Sequence, residues 1–510
     1  MPLNTLLDRH SAYRPDHPAL VFNEQQVSWA ELRHRVDSLI HQLRGEGLGV
    51  GDKVALIVDN CLEVLEMYHA AAKAGFVVVP LSPMLRGSGL TTLVNDSDAV
   101  AVVTMRRMVE HLEPVRADLV NVAGDRFFLV DGEADGYRRY PDTSVEPPEP
   151  VRAADLTDDD LYNIIYSSGT TGLPKGIVHT HGIREAYATG HAVGCRIHPE
   201  SVAVHSGSLV FNGAFLTLMP AMYLGCTFVL MEAFDAAGLI DVMISNDVTH
   251  AVLVPSQIIQ LLADNRFDED HIPSLEMVLT VGAPLHLEHK EELVRRMPER
   301  FYELYGLTEG LCTVLDRDAP HSKLGSVGVP PPLYELRIVD DDGNDVPVGE
   351  VGEIVGRGPV LMPGYYKRPD LTAEAIRNGW LHSGDLGRVD EDGYLYLVDR
   401  KKDMIISGGY NIYPAEIERV LCLHPGVAEA MVIGVPDDRW GEAVKALIVM
   451  RPGERADAAE FVRFTRDRIA SYKKPKYVEV VDELPKNMRG KILRREIRDR
   501  HWQGKSRRVN

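Results

Sequence analysis

The stretch Tyr166-Ser167-Ser168-Gly169-Thr170-Thr171-Gly172-Leu173-Pro174-Lys175-Gly176 directly follows an apolar run, Leu161 to Tyr166, with the composition of a buried strand. Its three glycines free the backbone to curl so that successive N–H groups converge on an anion. The Ser and Thr hydroxyls and one Lys supply further donors. A strand that delivers a phosphate-gripping loop of this kind belongs to an α/β fold. The spacing does not match G-x-x-x-x-G-K-[ST], so a P-loop NTPase is excluded.

Outward from the loop the same architecture repeats. On the amino-terminal side, β-rich runs (Lys53 to Val58, Phe76 to Pro80, Ala99 to Thr104) alternate with an amphipathic stretch, Leu62 to Ala74, which predicts βαβ units and a mostly parallel sheet. Four prolines and seven acids between Pro141 and Asp160 predict a loop between subdomains. Alternation resumes at Thr227 to Met231, Ala251 to Val254 and Met277 to Val281, which predicts a second parallel sheet. After about Gly325 short β-like runs separated by turn clusters predict a small, largely antiparallel β unit. A charged stretch, Asp399 to Asp403, then precedes a fresh α+β alternation: helices near Pro414 to Leu423 and Ala458 to Ile469, strands near Ala430 to Val435 and Ala446 to Met450. The expected organisation is a large domain over 1–401, with two α/β sheet subdomains and a small β unit, followed by a small α+β domain over 402–510.

The chain has 510 residues, 45% hydrophobic and 25% charged, enough for a large multi-lobed enzyme with a sizeable core. Its formal net charge of −20 argues against nucleic acid as the main partner, so an anionic substrate must meet locally placed cations and N–H groups. Five scattered cysteines without a C-x-x-C pair predict reduced thiols in a cytoplasmic protein. Met1 to His10 carries no signal pattern, and no run of about 18 apolar residues suggests a membrane span. His179 and His181 lack the spacing of H-E-x-x-H zinc ligands, and no G-x-S-x-G elbow is present.

The loop resembles the signature of the adenylate-forming superfamily, which includes acyl-CoA synthetases, luciferases and peptide-synthetase adenylation domains. Further blocks resemble that family's motifs in its order: Gly282-Ala283-Pro284, Tyr305-Gly306-Leu307-Thr308-Glu309, Ser383-Gly384-Asp385, Asp399-Arg400-Lys401-Lys402-Asp403 and Pro485-Lys486-Asn487-Met488-Arg489-Gly490-Lys491. The resemblance implies that Ser167, Ser168, Gly169, Thr170, Thr171, Gly172 and Lys175 hold the ATP phosphates. It implies that Gly282, Ala283, Pro284, Tyr305 and Gly306 flank the adenine, and that Asp385 and Arg400 hold the ribose and phosphate side. Asp385 can accept from both ribose hydroxyls, and Arg400 offers a planar fork. Glu309 is a hard oxygen ligand suited to Mg²⁺, with Thr308 beside it. Attack of a carboxylate on the α-phosphate concentrates negative charge, and Lys491 is the expected catalytic cation between acyl carboxylate and phosphate. Lys402 corresponds to the hinge about which the small domain turns between adenylating and thioester-forming arrangements.

Two departures bear on specificity. Many relatives carry Asn where this chain has Glu303, whose carboxylate can still accept from the adenine amine. Many acyl-CoA and aryl-CoA ligases carry a pocket His where this chain has Phe211, which either gates the acyl site or packs. Amino-acid-activating relatives place an Asp after this aromatic to pair the substrate ammonium; Asn212 is neutral and argues for an acid without an α-amino group. Gly213, Ala214, Gly282 and Gly306 leave room around the pocket, and Phe211, Leu307 and Leu311 make it apolar. These stretches contain no Arg or Lys for a second carboxylate on the substrate. Ser407, Gly408 and Gly409 resemble the lining of a pantetheine tunnel. Trp440 either meets the CoA adenine or anchors the small domain, and Tyr472, Lys473 and Lys474 either add CoA contacts or form a solvated helix end.

The resemblance implies an AMP-forming acyl-CoA synthetase that uses ATP, Mg²⁺ and CoA on a hydrophobic monocarboxylic acid, fatty, alicyclic or aryl, and so places it in fatty acid metabolism. The partners it implies are the small-molecule acid and CoA, without nucleic acid, and with a homodimer left open. Two alternatives stand beside it: an acyl-AMP ligase loading a separate carrier protein, and a catalytically silent nucleotide-binding regulator.

Overall fold

The computed structural model describes residues 2–167, 175–408, 410–437, 439–466, 468–486 and 492–502. Two compact units account for the chain: the first takes Met1–Leu336 and Gly356–Leu381, the second Arg337–Val355 and His382–Asn510.

The first unit is built on two mainly parallel sheets. One has seven strands in the order Arg138–Arg139, Phe127–Leu129, Ala99–Thr104, Lys53–Ile57, Val77–Pro80, Leu161–Ser167, Lys175–Thr180. The other has eight, in the order Leu311–Leu315, Phe301–Leu307, Met277–Val281, His250–Leu253, Val202–His205, Thr227–Leu230, Pro18–Phe22, Gln25–Ser28. The expected α/β fold with two sheets is present. Their central strands are buried along nearly their whole length and rich in Val, Ile and Leu, as parallel strands covered on both faces must be.

The helix Leu62–Ala74 has the expected bounds and is buried at every position but Glu63. Its apolar side chains share one hydrophobic cluster with residues of both sheets, such as Val54 and Leu279, and its polar side is buried because Arg35 pairs with Glu66 and Asp37 with Lys73. Tyr68 ties the layers together: its hydroxyl donates to the Leu209 carbonyl at 3.0 Å, and its own carbonyl accepts from Tyr162 Oη at 3.1 Å.

One feature is absent from the sequence reading, which assigns no element before Lys53. The hairpin of Pro18–Phe22 and Gln25–Ser28 extends the second sheet by pairing parallel to Thr227–Leu230. Its strands are short, and the partner that stabilises them lies some two hundred residues along the chain, so no local pattern announces it.

In the small β sheet, Ile376–Arg377 and Leu395–Arg400 both pair antiparallel with Trp380–Val389. The carboxy-terminal sheet of the second unit centres on a long hairpin, Val427–Asp437 against Gly441–Met450, with Tyr477–Val480 parallel to the latter. The helices Pro414–Cys422 and Ala458–Arg466 share a cluster with this sheet through Ile417, Leu421, Phe461, Val432 and Ile448. The strands run longer than Ala430 to Val435 and Ala446 to Met450 because their ladder continues to Asp437↔Gly441. No helix among the described residues is long and apolar enough to cross a membrane.

Gly310 sets the turn that carries Thr308 and Glu309. Its φ is +115°, and a Cβ there would overlap the backbone of Val360 and Leu361. Gly343 has φ +83° and open space around it. Gly310→Ala is therefore expected to lower the thermal unfolding midpoint well beyond the effect of Gly343→Ala, since the positive φ alone costs on the order of 1–3 kcal/mol and only Gly310 adds a backbone clash. Equal shifts in the two variants would show that the Glu309 turn tolerates a side chain.

Candidate active site

The carboxyl edge of the eight-stranded sheet gathers the residues predicted for the adenine side and the acyl pocket. Val202–His205, His250–Leu253, Met277–Val281 and Phe301–Leu307 are neighbouring parallel strands. Phe211, Gly282 and Thr308 follow the carboxyl ends of three of them, and in open α/β sheets this edge is where ligands bind. Gly282 lies in an exposed loop at φ +92°, with Ala283 and Pro284 exposed beside it. Tyr305, Leu307, Thr308 and Glu309 are half-buried and Gly306 is exposed. Gly306 pairs with Cys312 across the hairpin, and a Cβ there would approach the Leu311 carbonyl to 2.6 Å.

The anion loop closes a second hairpin. Leu161–Ser167 pairs antiparallel with Lys175–Thr180, which sets Ser167 opposite Lys175 at the mouth of the loop. Ser168, Gly169, Thr170, Thr171 and Gly172 lie outside the described residues. Lys175 Nζ sits 4.8 Å above the ring of Tyr365, whose hydroxyl donates to Glu309 Oε1 at 2.9 Å. Burial, and then the adjacent carboxylate, raises the Tyr365 phenol far above its ordinary pKa, so it remains a donor. Four residues further along the strand from Lys175, His179 Nε2 meets the Thr308 carbonyl at 2.9 Å. Both halves of the Thr308-Glu309 pair are thus fixed from the strand that follows the loop.

His179 leads to an arrangement that the sequence reading missed. Its Nδ1 lies 3.2 Å from Arg184 Nη2, and a carbonyl at Nε2 with a donor at Nδ1 selects the Nε2–H tautomer. Burial and the Arg184 charge push the His179 pKa well down, so the ring is neutral. Arg184 is 0% exposed and donates to Asn163 Oδ1 at 2.9 Å and to Asn212 Oδ1 at 3.0 Å. Asn212 in turn donates from Nδ2 to Tyr187 Oη at 3.0 Å. The predicted pocket stretches contain no cation, yet a guanidinium backs Asn212. Its signal was positional: Arg184, Tyr187, Ala188, His191 and Ala192 follow the i, i+3, i+4, i+7, i+8 register of the buried face of helix His181–Gly194.

Other predicted residues have defined places. Phe211 and Gly213 are half-buried beside Asn212. Leu311 is 1% exposed and packs where a Cβ on Gly356 would stand. Glu303 is buried, and its carboxylate is engaged by Lys290, whose Nζ also donates to the Leu324 carbonyl at 2.9 Å.

In the second unit, Asp385 stands opposite Arg400 in the antiparallel ladder, with Arg400 Nε 3.6 Å from Asp385 Oδ1. Ser383 Oγ accepts from the Asp385 backbone N–H at 3.0 Å, and Gly384 takes φ +70° while its N–H donates to Glu353. The Lys402 carbonyl accepts from Arg498 at 3.1 Å, and Arg498 also meets Asp403 at 3.2 Å. Gly408, after the strand Ile405–Ser407, has φ +59°, and its N–H donates to the Trp440 carbonyl at 2.9 Å. A Cβ on Gly408 would come within 2.6 Å of the Trp440 ring. Asp437 accepts from the backbone N–H groups of Arg439 and Trp440, holding an indole that remains 45% exposed. Tyr472 stacks on Tyr410 at 4.8 Å, Lys473 pairs with Glu416 at 2.6 Å, and Lys474 is exposed. Gly409 and Lys491 lie outside the described residues.

Known proteins share this architecture and these motifs. A family model described as AMP-binding enzyme matches residues 7–366, and one for the AMP-binding enzyme C-terminal domain matches 416–491. A feruloyl-CoA synthase from an Amycolatopsis species is 38% identical over 500 residues, covering 96% of this chain and 97% of the relative. A fatty acid–[acyl-carrier-protein] ligase, ScoC, from Streptomyces coeruleorubidus is 33% identical over 513 residues, covering 98% and 96%. Among solved structures, the o-succinylbenzoate CoA synthetase MenE from Bacillus subtilis, in complex with its acyl-adenylate intermediate, superposes with a TM-score of 0.86 at 30% identity over 98% of each chain. The chain belongs to the AMP-binding enzymes of the adenylate-forming superfamily, among its acyl-CoA synthetases.

Proposed function

We propose that the protein is an ATP-dependent acid–CoA ligase that works in two half-reactions. A carboxylate oxygen of the acid attacks the α-phosphorus of ATP, the α,β-anhydride bond breaks, and pyrophosphate leaves. The CoA thiol, losing its proton, then attacks the acyl carbon, and AMP leaves with the electrons of the C–O bond. The observation that carries this reading is the fixing of Thr308 by His179 and of Glu309 by Tyr365, on whose ring Lys175 rests.

Glu309 fits a magnesium ion by its chemistry. It is a half-buried hard oxygen donor, and Mg²⁺ binds through one or two carboxylates together with substrate phosphates and water. No cluster of three His, Cys, Asp or Glu suited to a metal occurs among the described residues, consistent with a metal that arrives with the nucleotide. When bound, the ion offsets the charge of the polyphosphate. Lys175 adds a cation on the phosphate side, and Asp385 with Arg400 offers an acceptor and a fork to the ribose. Lys491 is assigned the bridge between the acyl carboxylate and the α-phosphate. For the acid, Asn212 leaves an ammonium without an acidic partner, so we assign an acid with an apolar body and no α-amino group. CoA-dependent AMP release over a panel of such acids tests the assignment. Release that depends on a carrier protein and not on CoA would move the protein toward the activity named for ScoC.

Trp440 presents nearly half its surface on a turn fixed by Asp437, which suits stacking on a nucleotide base. Trp440→Ala is expected to raise the apparent KM for CoA severalfold while leaving acid-dependent ATP–pyrophosphate exchange near the wild-type rate, because adenylation precedes the use of CoA. Matching losses in the two assays would make Trp440 a structural anchor.

Lys402 is assigned the hinge. Proline fixes φ near −65° and removes a donor, so Lys402→Pro restricts rotation without touching nucleotide contacts. It is expected to retain much of the exchange activity and to slow thioester formation strongly. Lys491→Ala is expected to do the reverse when the second step starts from preformed acyl-AMP. If both variants remain folded and lose both half-reactions in proportion, the alternating arrangement is wrong.

A further inference from the structure

Arg184 is a fully buried guanidinium with neutral partners only. Three of its five N–H bonds reach Asn163, His179 and Asn212, and both hydrogens of Nη1 lack a hydrogen-bond partner among the described residues. Its aromatic neighbours are Phe215 at 4.0 Å and Tyr187 at 5.2 Å. Burial pulls its pKa down to about 10, which leaves it charged at neutral pH. No carboxylate among the described residues compensates it, an arrangement that a fold tolerates only at a cost.

The orientation of Asn212 follows from this. A guanidinium is donor-only, so the amide oxygen must face Arg184 and the NH₂ must face away. One of those two N–H bonds goes to Tyr187 Oη, and the other has no partner among the described residues. Asn212 is half-buried beside a buried cation and lies in the stretch assigned to the acyl site, so it offers that site a fixed donor backed by positive potential.

We infer that the substrate acid carries an oxygen acceptor at the end remote from its reacting carboxylate, and that Asn212 Nδ2 receives it, with Arg184 as the positioning residue. The inference rests on the ligase reading and adds its specificity. A site built to donate to an oxygen rejects the analogue that lacks it, because the donor is then left unpaired. A purely apolar fatty or alicyclic acid is thereby disfavoured.

The test uses matched acids that differ at one ring position: 3-arylpropanoates bearing methyl, hydroxyl or carboxylate at the 3- or 4-position. The readouts are kcat and KM for CoA-dependent AMP release, and calorimetric binding of the free acids. For at least one ring position the hydroxyl or carboxylate acid is expected to exceed the methyl acid at least tenfold in kcat/KM. Arg184→Met also removes the donor to His179 and so is expected to slow all the acids alike, and beyond that common loss to bring the ratio to within about twofold. Arg184→Lys, which keeps the charge, is expected to restore part of the ratio. Tyr187→Phe, which removes the second anchor of the Asn212 amide, is expected to lower it if Arg184→Met does not fold. A wild-type enzyme that uses the methyl acid as well as the oxygenated ones overturns the inference, as does a ratio that survives Arg184→Met. If no acid supports CoA-dependent AMP release, the ligase reading fails by itself. The same ratio is then read from binding, where tighter binding of an oxygenated acid that Arg184→Met abolishes supports the inference and equal binding of the three acids overturns it.

Discussion

The antiparallel pairing of Leu161–Ser167 with Lys175–Thr180 is the constraint on which the rest of the first unit's site depends. It pins both ends of the anion loop on the edge of the seven-stranded sheet and sets the phase of the strand that follows. Side chains in a strand alternate faces, so Lys175, Ile177 and His179 share one side. From that side Lys175 meets Tyr365, which holds Glu309, and His179 holds the Thr308 carbonyl. A slip of one residue in the register would turn Lys175 and His179 to the opposite face and release Thr308 and Glu309 together.

The same strand sets the position of the next helix. Thr180 Oγ1 caps His181–Gly194 by accepting from the Ile183 N–H at 3.3 Å, which fixes the helix phase immediately after His179. Arg184 then falls one turn into the helix on its inward face, within reach of both His179 and Asn212. One hydrogen-bonded path therefore runs from the Thr308 carbonyl through a neutral imidazole and a guanidinium to the amide of Asn212. Its geometry is set by backbone elements rather than by flexible side chains.

Much of this was legible in the sequence because it depends on local pattern. Leu62–Ala74 is an amphipathic helical run, and the buried strands are short β-branched runs, so their positions follow from local pattern. The anion loop and the Thr308-Glu309 turn are contiguous motifs. What escaped depends on contacts between distant segments. Tyr365 reaches Glu309 because the chain returns from the small β sheet to pair with Ile177 and Gly176. Lys290 reaches Glu303 from a helix that precedes its strand, forming a buried ion pair that no local pattern announces. Arg184 carried a helical signal, but an arginine on an apolar face is ordinarily a surface residue whose stem lies along the core.

The cations of this acidic protein fall into two kinds. Lys73 is buried between Asp8 and Asp37 at 2.6 Å from each, Arg494 reaches Glu418 at 2.6 Å, and Lys290 engages Glu303. These charges are spent within the fold, and removing one partner would strand the other. The cations at the candidate site are held differently. Lys175 rests on the face of Tyr365, whose hydroxyl donates to Glu309. A cation–π contact of about 0.5–2 kcal/mol gives way to a phosphate more readily than a buried ion pair does. Arg400 stands 3.6 Å from Asp385, an ion pair longer than a close hydrogen bond. Arg184 is surrounded by amide, imidazole and aromatic groups. In a chain with a net charge of −20, neutral partners leave the positive potential of Lys175 and Arg184 largely uncancelled.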